Sequence, residues 1–280
     1  GIGGAKVVEA LGGADIYHLN EGHALPAFYY LRDRGVTKEQ MVFTTHTPEK
    51  AGNEERDATH LNRCGFFGRT LDHPALEHEA VNDFNINYTV SALRMAKRTN
   101  AVSELHAVVS RDMWKDYPGI SEIIPITNSQ NQSYWQDQMI KNAWQAKDAK
   151  AYQARKKTLK EQAFAEVHRQ TGKQFDPKVL TIVWARRFAG YKRADLLLHD
   201  YERFNRLIHN SEFPVQIIWA GKPYPYDYYA IDVFNNLIDV AKQHDNLAVL
   251  TGYELALSRT IKCGSDVWLN TPRITWEASG

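Results

Sequence analysis

With 280 residues, 43% of them hydrophobic and 24% charged, the chain has a globular composition and is long enough for one large or two ordinary domains. Its 34 basic and 33 acidic residues leave a net charge of +1, which gives no electrostatic case for nucleic acid or an anionic membrane as a partner. Two cysteines are too few for a disulfide framework and no apolar run approaches ~20 residues, so Cys64 and Cys263 read as buried thiols of a cytoplasmic protein.

The chain opens without an initiator Met or a leader-like segment, as a glycine loop (Gly1-Ile2-Gly3-Gly4) running into a helix. Apolar runs at Ile16–Leu19, Met41–Thr45, Ala101–Ser103 and Ile123–Thr127 predict buried strands. Helical spacing at Ala24–Arg34, Phe84–Lys97 and Glu104–Arg111 fills the gaps. A long polar helical stretch from about Tyr134 to Gln170 follows, stopped by Gly172. Beyond it, Val179–Ala185, Val215–Ala220, Leu247–Thr251 and Val267–Leu269 predict a second set of strands with helices between them. Strand–helix alternation implies an α/β fold, with two Rossmann-like lobes at 1–127 and 128–280 facing a cleft. Ligands of such sheets bind beyond the carboxyl ends of the strands, which is where the informative residues are sought. The closing loop directly after a strand, with the abrupt start, reads as an internal piece of a longer protein, both lobes being incomplete.

Trp184 to Arg193 is the most informative stretch. It leaves a strand, turns at Ala189-Gly190 and is expected to enter a helix at Ala194–His199. An Arg-Arg pair is ordinarily a solvated helix start. Four cations within eight residues at a strand's carboxyl end favour an oxyanion site instead. His46 ends another strand beside Pro48, and His23 follows a third; each is equally a structural or a functional histidine, and no ligand spacing supports a metal. Asn128 closes a strand at the expected junction, as a turn cap or as an amide for a sugar hydroxyl. Trp135 is either core or a wall for a flat ligand. Glu277, Ser279 and Gly280 form a loop suited to polyol recognition, and no glycosidase-like carboxylate pair appears.

Taken together, His18–His23, Phe43–Pro48, Ser103–His106, Ile126–Asn128, Arg186–Arg193 and Asp266–Gly280 resemble the α-glucan (glycogen, starch or maltodextrin) phosphorylase family, in family order. The shorter bacterial and archaeal-type members are the most similar. The resemblance implies a GT-B architecture and a glycosyltransferase of carbohydrate metabolism. The implied reaction is reversible, retaining phosphorolysis of α-1,4-glucan ends to glucose 1-phosphate. It implies pyridoxal phosphate as cofactor, its phosphate exchanging a proton with the substrate phosphate. By the same resemblance Arg187, Lys192 and His46 are catalytic, with Arg187 clamping the substrate phosphate and Lys192 bridging the two phosphates. Asn128, Tyr191, Glu277, Ser279 and Gly280 bind sugar, and Arg186, Trp135 and Tyr253 border the cofactor.

The sequence also departs from the family pattern. The family's Schiff-base lysine is expected beyond Gly280, so this stretch alone is expected to be inactive. Ser129 replaces a common Gly, the loop from Glu49 to Arg56 is atypical, and Glu254 stands where a basic residue is common. The expected partners are α-glucan with inorganic phosphate or glucose 1-phosphate, and a second copy in the full-length protein. The alternatives are a nucleotide-sugar-dependent glucan synthase of the same architecture and a non-catalytic glucan-binding module.

Overall fold

The computed structural model describes residues 1–278. The chain forms two compact units, Gly1–Ser129 joined by the stretch from Ile274 onward, and Gln130–Arg273. In sequence the two units adjoin at Ser129 and Gln130, and Ile274–Ala278 group with the first.

In the first unit, β1 (Tyr17–Asn20), β2 (Met41–Thr45), β3 (Glu55–Asp57), β4 (Asn85–Asn87), β5 (Arg98–Ala101) and β6 (Ile123–Pro125) appear in chain order. β1, β2, β5 and β6 build one parallel sheet in that order, while β3 and β4 form a separate antiparallel pair. β2 lies between two neighbours, so Met41, Phe43, Thr44 and Thr45 are all buried, as an interior parallel strand demands. Helices Leu25–Arg32, Tyr88–Met95 and Glu104–Trp114 surround it. The Asn87 and Ser103 side chains cap the latter two, accepting from Val90 N at 2.9 Å and His106 N at 3.1 Å.

The second unit contains β7 (Leu180–Ala185), β8 (Val215–Ala220), β9 (Leu247–Leu250) and β10 (Val267–Trp268), all parallel, in the order β10-β7-β8-β9. β8 is buried along its whole length. Successive side chains point to opposite faces. Val183, Ala185, Ile218 and Ala220 therefore pack with Phe164, Val167 and Ile261 on one face. Trp184, Ile217 and Trp219 pack with Phe188, Phe204 and Leu237 on the other. Gly264 permits helices Ala149–Thr171 and Leu255–Gly264 to touch, since a Cβ there would meet the Ala163 Cβ at 2.5 Å. The chain steps outward from β7 to β9 and then crosses back to place β10 on the other side of β7. In open α/β sheets ligands bind beyond the carboxyl ends of strands where the order reverses, so the ends of β7 and β10 are where a site is sought.

Several sequence expectations are corrected. The first helix is Ile2–Ala10, with Gly3 and Gly4 inside it rather than in a preceding loop. The strand expected at Ala101–Ser103 is Arg98–Ala101, whose buried Thr99 is satisfied by Ser121 Oγ at 2.6 Å; a polar strand gives no apolar signal. The helix expected from Phe84 begins at Tyr88, after β4. The Tyr134–Gln170 stretch is three helices, Gln132–Trp135, Gln138–Gln145 and Ala149–Thr171, because Asp137 and Asp148 cap new starts and Lys147 is left-handed (φ 53°). Gly172 does end the last, at φ 74°. Cys64 is exposed and Cys263 half-buried, so neither is the core thiol expected.

Candidate functional site

The carboxyl ends of β1 and β2 meet at Glu21. This residue adopts φ 74°, a conformation rare outside glycine, and its carboxylate holds three donors. Oε1 accepts from Gly22 N at 2.9 Å, and Oε2 from His46 N at 2.9 Å and Thr47 Oγ1 at 2.8 Å. The His46 ring is anchored separately, with Nε2 hydrogen-bonded to Asn20 Oδ1, which leaves Nδ1 as an acceptor for a hydroxyl. Thr44 Oγ1 links His18 Nε2 (2.7 Å) to Asn100 Oδ1 (2.6 Å) beneath it. Asn128 is exposed after β6, with its amide N donating to Val102 O at 3.0 Å. Ser103 Oγ donates to Ala278 O at 2.6 Å, so half-buried Glu277 lies next to the Ser103 helix cap. His23 is solvent-exposed, 4.0 Å from Glu54, and lies outside this network. Ser279 and Gly280 lie outside the described residues.

His106 is the buried member of this group. Its Nδ1 accepts from Val102 N at 3.2 Å, while Nε2 has no hydrogen-bond partner among the described residues. Burial holds the imidazole down to about 4; the Glu21 carboxylate opposes the shift and His46 adds to it. The unfolded chain therefore takes up a proton that the folded one refuses. The stability cost is nil above pH ~6.5 and grows as pH falls towards ~4, reaching about 2 kcal/mol at pH 5. Thermal melts at pH 7 and pH 5 should show this acid sensitivity reduced in His106→Gln. An unchanged pH dependence would remove His106 as its source.

In the second unit the loop after β7 is laced to the loop after β10. Arg193, left-handed at φ 50°, donates from Nε to Thr271 O at 2.8 Å and from Nη2 to Pro272 O at 3.0 Å. Thr271 Oγ1 bridges Lys192 O and Trp184 Nε1, and Arg273 N donates to Tyr191 O at 2.8 Å. Arg193 is thus a structural clamp rather than an arm of an anion cage. The helix expected at Ala194–His199 is only a 3-10 turn at Leu196–Leu198, and the α-helix starts at Tyr201, so the expected helix start directly after the cations is not formed. What the lacing presents is Arg186, half-buried; Arg187, exposed; and Tyr191 and Lys192, half-buried, with Lys192 Nζ 5.2 Å from the Tyr191 ring centre. Gly221 makes the loop's base possible, because a Cβ there would sit 1.9 Å from the Arg186 carbonyl.

Tyr253 Oη donates to Ala185 O at 3.1 Å and meets Ser258 Oγ at 3.0 Å, fixing it under the end of β7. Trp135 stacks on Lys262, whose Nζ lies 4.0 Å from its ring centre and 4.9 Å from that of Trp268. Burial and the neighbouring Arg186 hold the Lys262 ammonium below its usual range. The expected residues thus fall into two groups: His46, Asn128 and Glu277 in the first unit, and Arg186, Arg187, Tyr191, Lys192, Trp135 and Tyr253 in the second. Sequence reasoning gave no role to Glu21, His106, Thr271 or Lys262, although the first three lie within the segments His18–His23, Ser103–His106 and Asp266–Gly280 that carry the resemblance. Among the described residues no three His, Cys, Asp or Glu side chains gather as a metal set.

No protein-family model matches the chain. It is 46% identical over 283 residues to an uncharacterised protein of Methanocaldococcus jannaschii, covering all of this chain and 54% of the relative. It is 30% identical over 339 residues to the maltodextrin phosphorylase of Thermococcus litoralis, covering 40% of that protein. It is 28% identical over 349 residues to the glycogen phosphorylase of Aquifex aeolicus, covering 50%. The chain thus spans about half the length of these relatives. Among solved structures it matches the catalytic domain of starch synthase IV from Arabidopsis thaliana, with a TM-score of 0.71 at 20% identity, over 99% of this chain and 56% of that one. The fold is accordingly GT-B, in two Rossmann-like α/β units.

Proposed function

Since the chain is related over its whole length to the α-glucan phosphorylases, we propose that its parent protein is a glycosyltransferase that cleaves α-1,4-glucan ends with phosphate to give glucose 1-phosphate. The observation that carries this reading is the laced loop after β7, which holds Arg186, Arg187 and Lys192 at the edge where strand order reverses. A sugar-binding module has no need of such a concentration of cations.

In this reading Arg187 grips the substrate phosphate with its planar fork and Lys192 adds a compact charge, offsetting repulsion between close phosphates. Tyr191, Asn128, Glu277, Ser279 and Gly280 bind sugar hydroxyls. His46 accepts from a further hydroxyl through Nδ1, and Glu21 holds the His46 backbone N–H and the Thr47 hydroxyl so that this geometry needs no rearrangement on binding. Pyridoxal phosphate is the cofactor implied, and the chemistry of Arg186, Trp135 and Tyr253 fits it: a cation for its phosphate and aromatic surfaces for its ring. When bound, the cofactor supplies a phosphate that gives and takes a proton at the substrate phosphate. Two free thiols accord with a reducing cytoplasm, and among the described residues no helix is long and apolar enough to cross a membrane.

The test is donor choice by the full-length gene product, with maltooligosaccharide as acceptor. Release of phosphate from glucose 1-phosphate is expected. Use of ADP-glucose alone would establish the synthase alternative, and binding of maltooligosaccharide without turnover of either donor would establish the non-catalytic one.

A further inference from the structure

A cavity of about 550 Å³, within the size range of small-molecule sites, opens at the amino end of the parallel sheet in the first unit. Its lining includes Met41, the first residue of β2, while Val36, Met95 and Pro118 come from the segments that lead into β2, β5 and β6. His46 follows the carboxyl end of β2. At about 3.3 Å per residue it lies roughly 16 Å along the strand from Met41, so the cavity is separate from the network around Glu21. Buried Met41 and half-buried Val36 and Met95 give the cavity an apolar lining, and methionine side chains adapt to varied ligand shapes.

The charge around this lining is one-sided. With His78 neutral, Arg32, Lys38 and Arg94 face a single carboxylate, that of Glu79. Both Glu79 oxygens are already engaged: Oε1 accepts from Arg32 Nη1 at 2.8 Å and Oε2 from Tyr29 Oη at 3.0 Å. Glu39, next to Lys38 in sequence, pairs instead with Lys97 at 2.8 Å. Arg94 donates from Nε to Pro118 O at 3.2 Å, which leaves its two terminal nitrogens for another acceptor. Among the described residues neither Arg94 nor Lys38 has an ion-pair partner. Cations on an open surface are satisfied by water, but these border an apolar hollow, where an anion carrying its own apolar part is the better partner.

We propose that this cavity binds a small organic oxyanion, its apolar body against Val36, Met41 and Met95 and its carboxylate or phosphate group on Arg94 and Lys38. Arg32 is committed to Glu79, whose charge repels a second anion, so the acidic group goes to the other two cations. The site does not depend on the phosphorylase reading.

Titration of the full chain, carrying carbon-13 at its methionine methyl groups, with phenyl phosphate and with benzoate tests the proposal by NMR. Of the four methionines, Met41 and Met95 line the cavity, whereas Met113 and exposed Met139 do not. Saturable shifts of the Met41 and Met95 signals are expected, with Met139 unmoved. Shifts with phenyl phosphate alone would assign a phosphate monoester, with benzoate alone a carboxylate, and with both an oxyanion of either kind. Lys38→Gln and Arg94→Gln should each weaken binding about fivefold or more. Lys38 is exposed, so its variant serves even if the Arg94 contact with Pro118 is needed for folding. Unmoved Met41 and Met95 signals with both probes, or equal affinity of wild type and Lys38→Gln, would overturn the proposal.

Discussion

Replacing Arg187 by Ala in the full-length gene product should lower kcat/KM for phosphorolysis by ~10²-fold or more. The side chain is exposed at the start of the loop after β7, outside the lacing made by Arg193 and Thr271, so its loss removes a charge without disturbing the scaffold. The melting temperature should therefore hold while activity collapses. Arg187→Lys should recover only part of the rate, because an ammonium cannot reproduce two parallel N–H donors to one phosphate. Phosphorolysis at the wild-type rate in Arg187→Ala would end the assignment of a phosphate role to this residue. Arg193→Ala should behave in the opposite way, since its guanidinium serves the carbonyls of Thr271 and Pro272. There the melting temperature should fall along with activity.

The largest expected effect on stability belongs to Asp266→Ala, at about 3–5 kcal/mol. Asp266 Oδ2 takes a hydrogen bond from Thr181 N at 2.9 Å and binds Lys160 Nζ at 2.6 Å, with Lys156 3.8 Å from its other oxygen. The Lys160 side chain is only 5% exposed, so without this carboxylate its charge stays in the interior with Val179 O as its remaining acceptor. Desolvation of an unpaired ammonium is what makes the loss large. Replacing both partners with apolar side chains, Lys160→Met together with Asp266→Leu, should cost far less than the single change. Urea denaturation of the three proteins measures the difference. A single mutant within about 1 kcal/mol of wild type would mean that water reaches Lys160 and the pair is effectively on the surface.

How much was legible in advance varied with the locality of the signal. Met41–Thr45 and Val215–Ala220 were read to the residue because an interior parallel strand is a short, predominantly apolar run between polar or glycine-containing segments. Arg98–Ala101 was displaced because it carries buried Thr99 and half-buried Asn100, polar side chains satisfied by Ser121 and Thr44 from elsewhere in the chain. Of the site, the cation-bearing loop was visible as a local concentration of charge, and His46 as a histidine at a strand end. Glu21 was not, since its importance lies in a backbone conformation and in donors that are 25 and 26 residues away. The β3–β4 pair was also missed: Glu55-Arg56-Asp57 is exposed throughout and offers no alternation to read.

The sequence by itself determined the α/β alternation, the strands with apolar runs, the helix stop at Gly172 and the resemblance borne out by relatives covering the whole chain. Those are short-range properties, set by side-chain periodicity and backbone preference within a few residues. Only the tertiary structure decided that β10 returns beside β7, that Arg193 supports the loop while Arg187 remains exposed, and that Lys262 lies between Trp135 and Trp268. Each of these depends on which distant segments meet. Burial of apolar faces, satisfaction of backbone carbonyls and the cost of an unpaired charge select those meetings, and none of the three is a property of one stretch of chain.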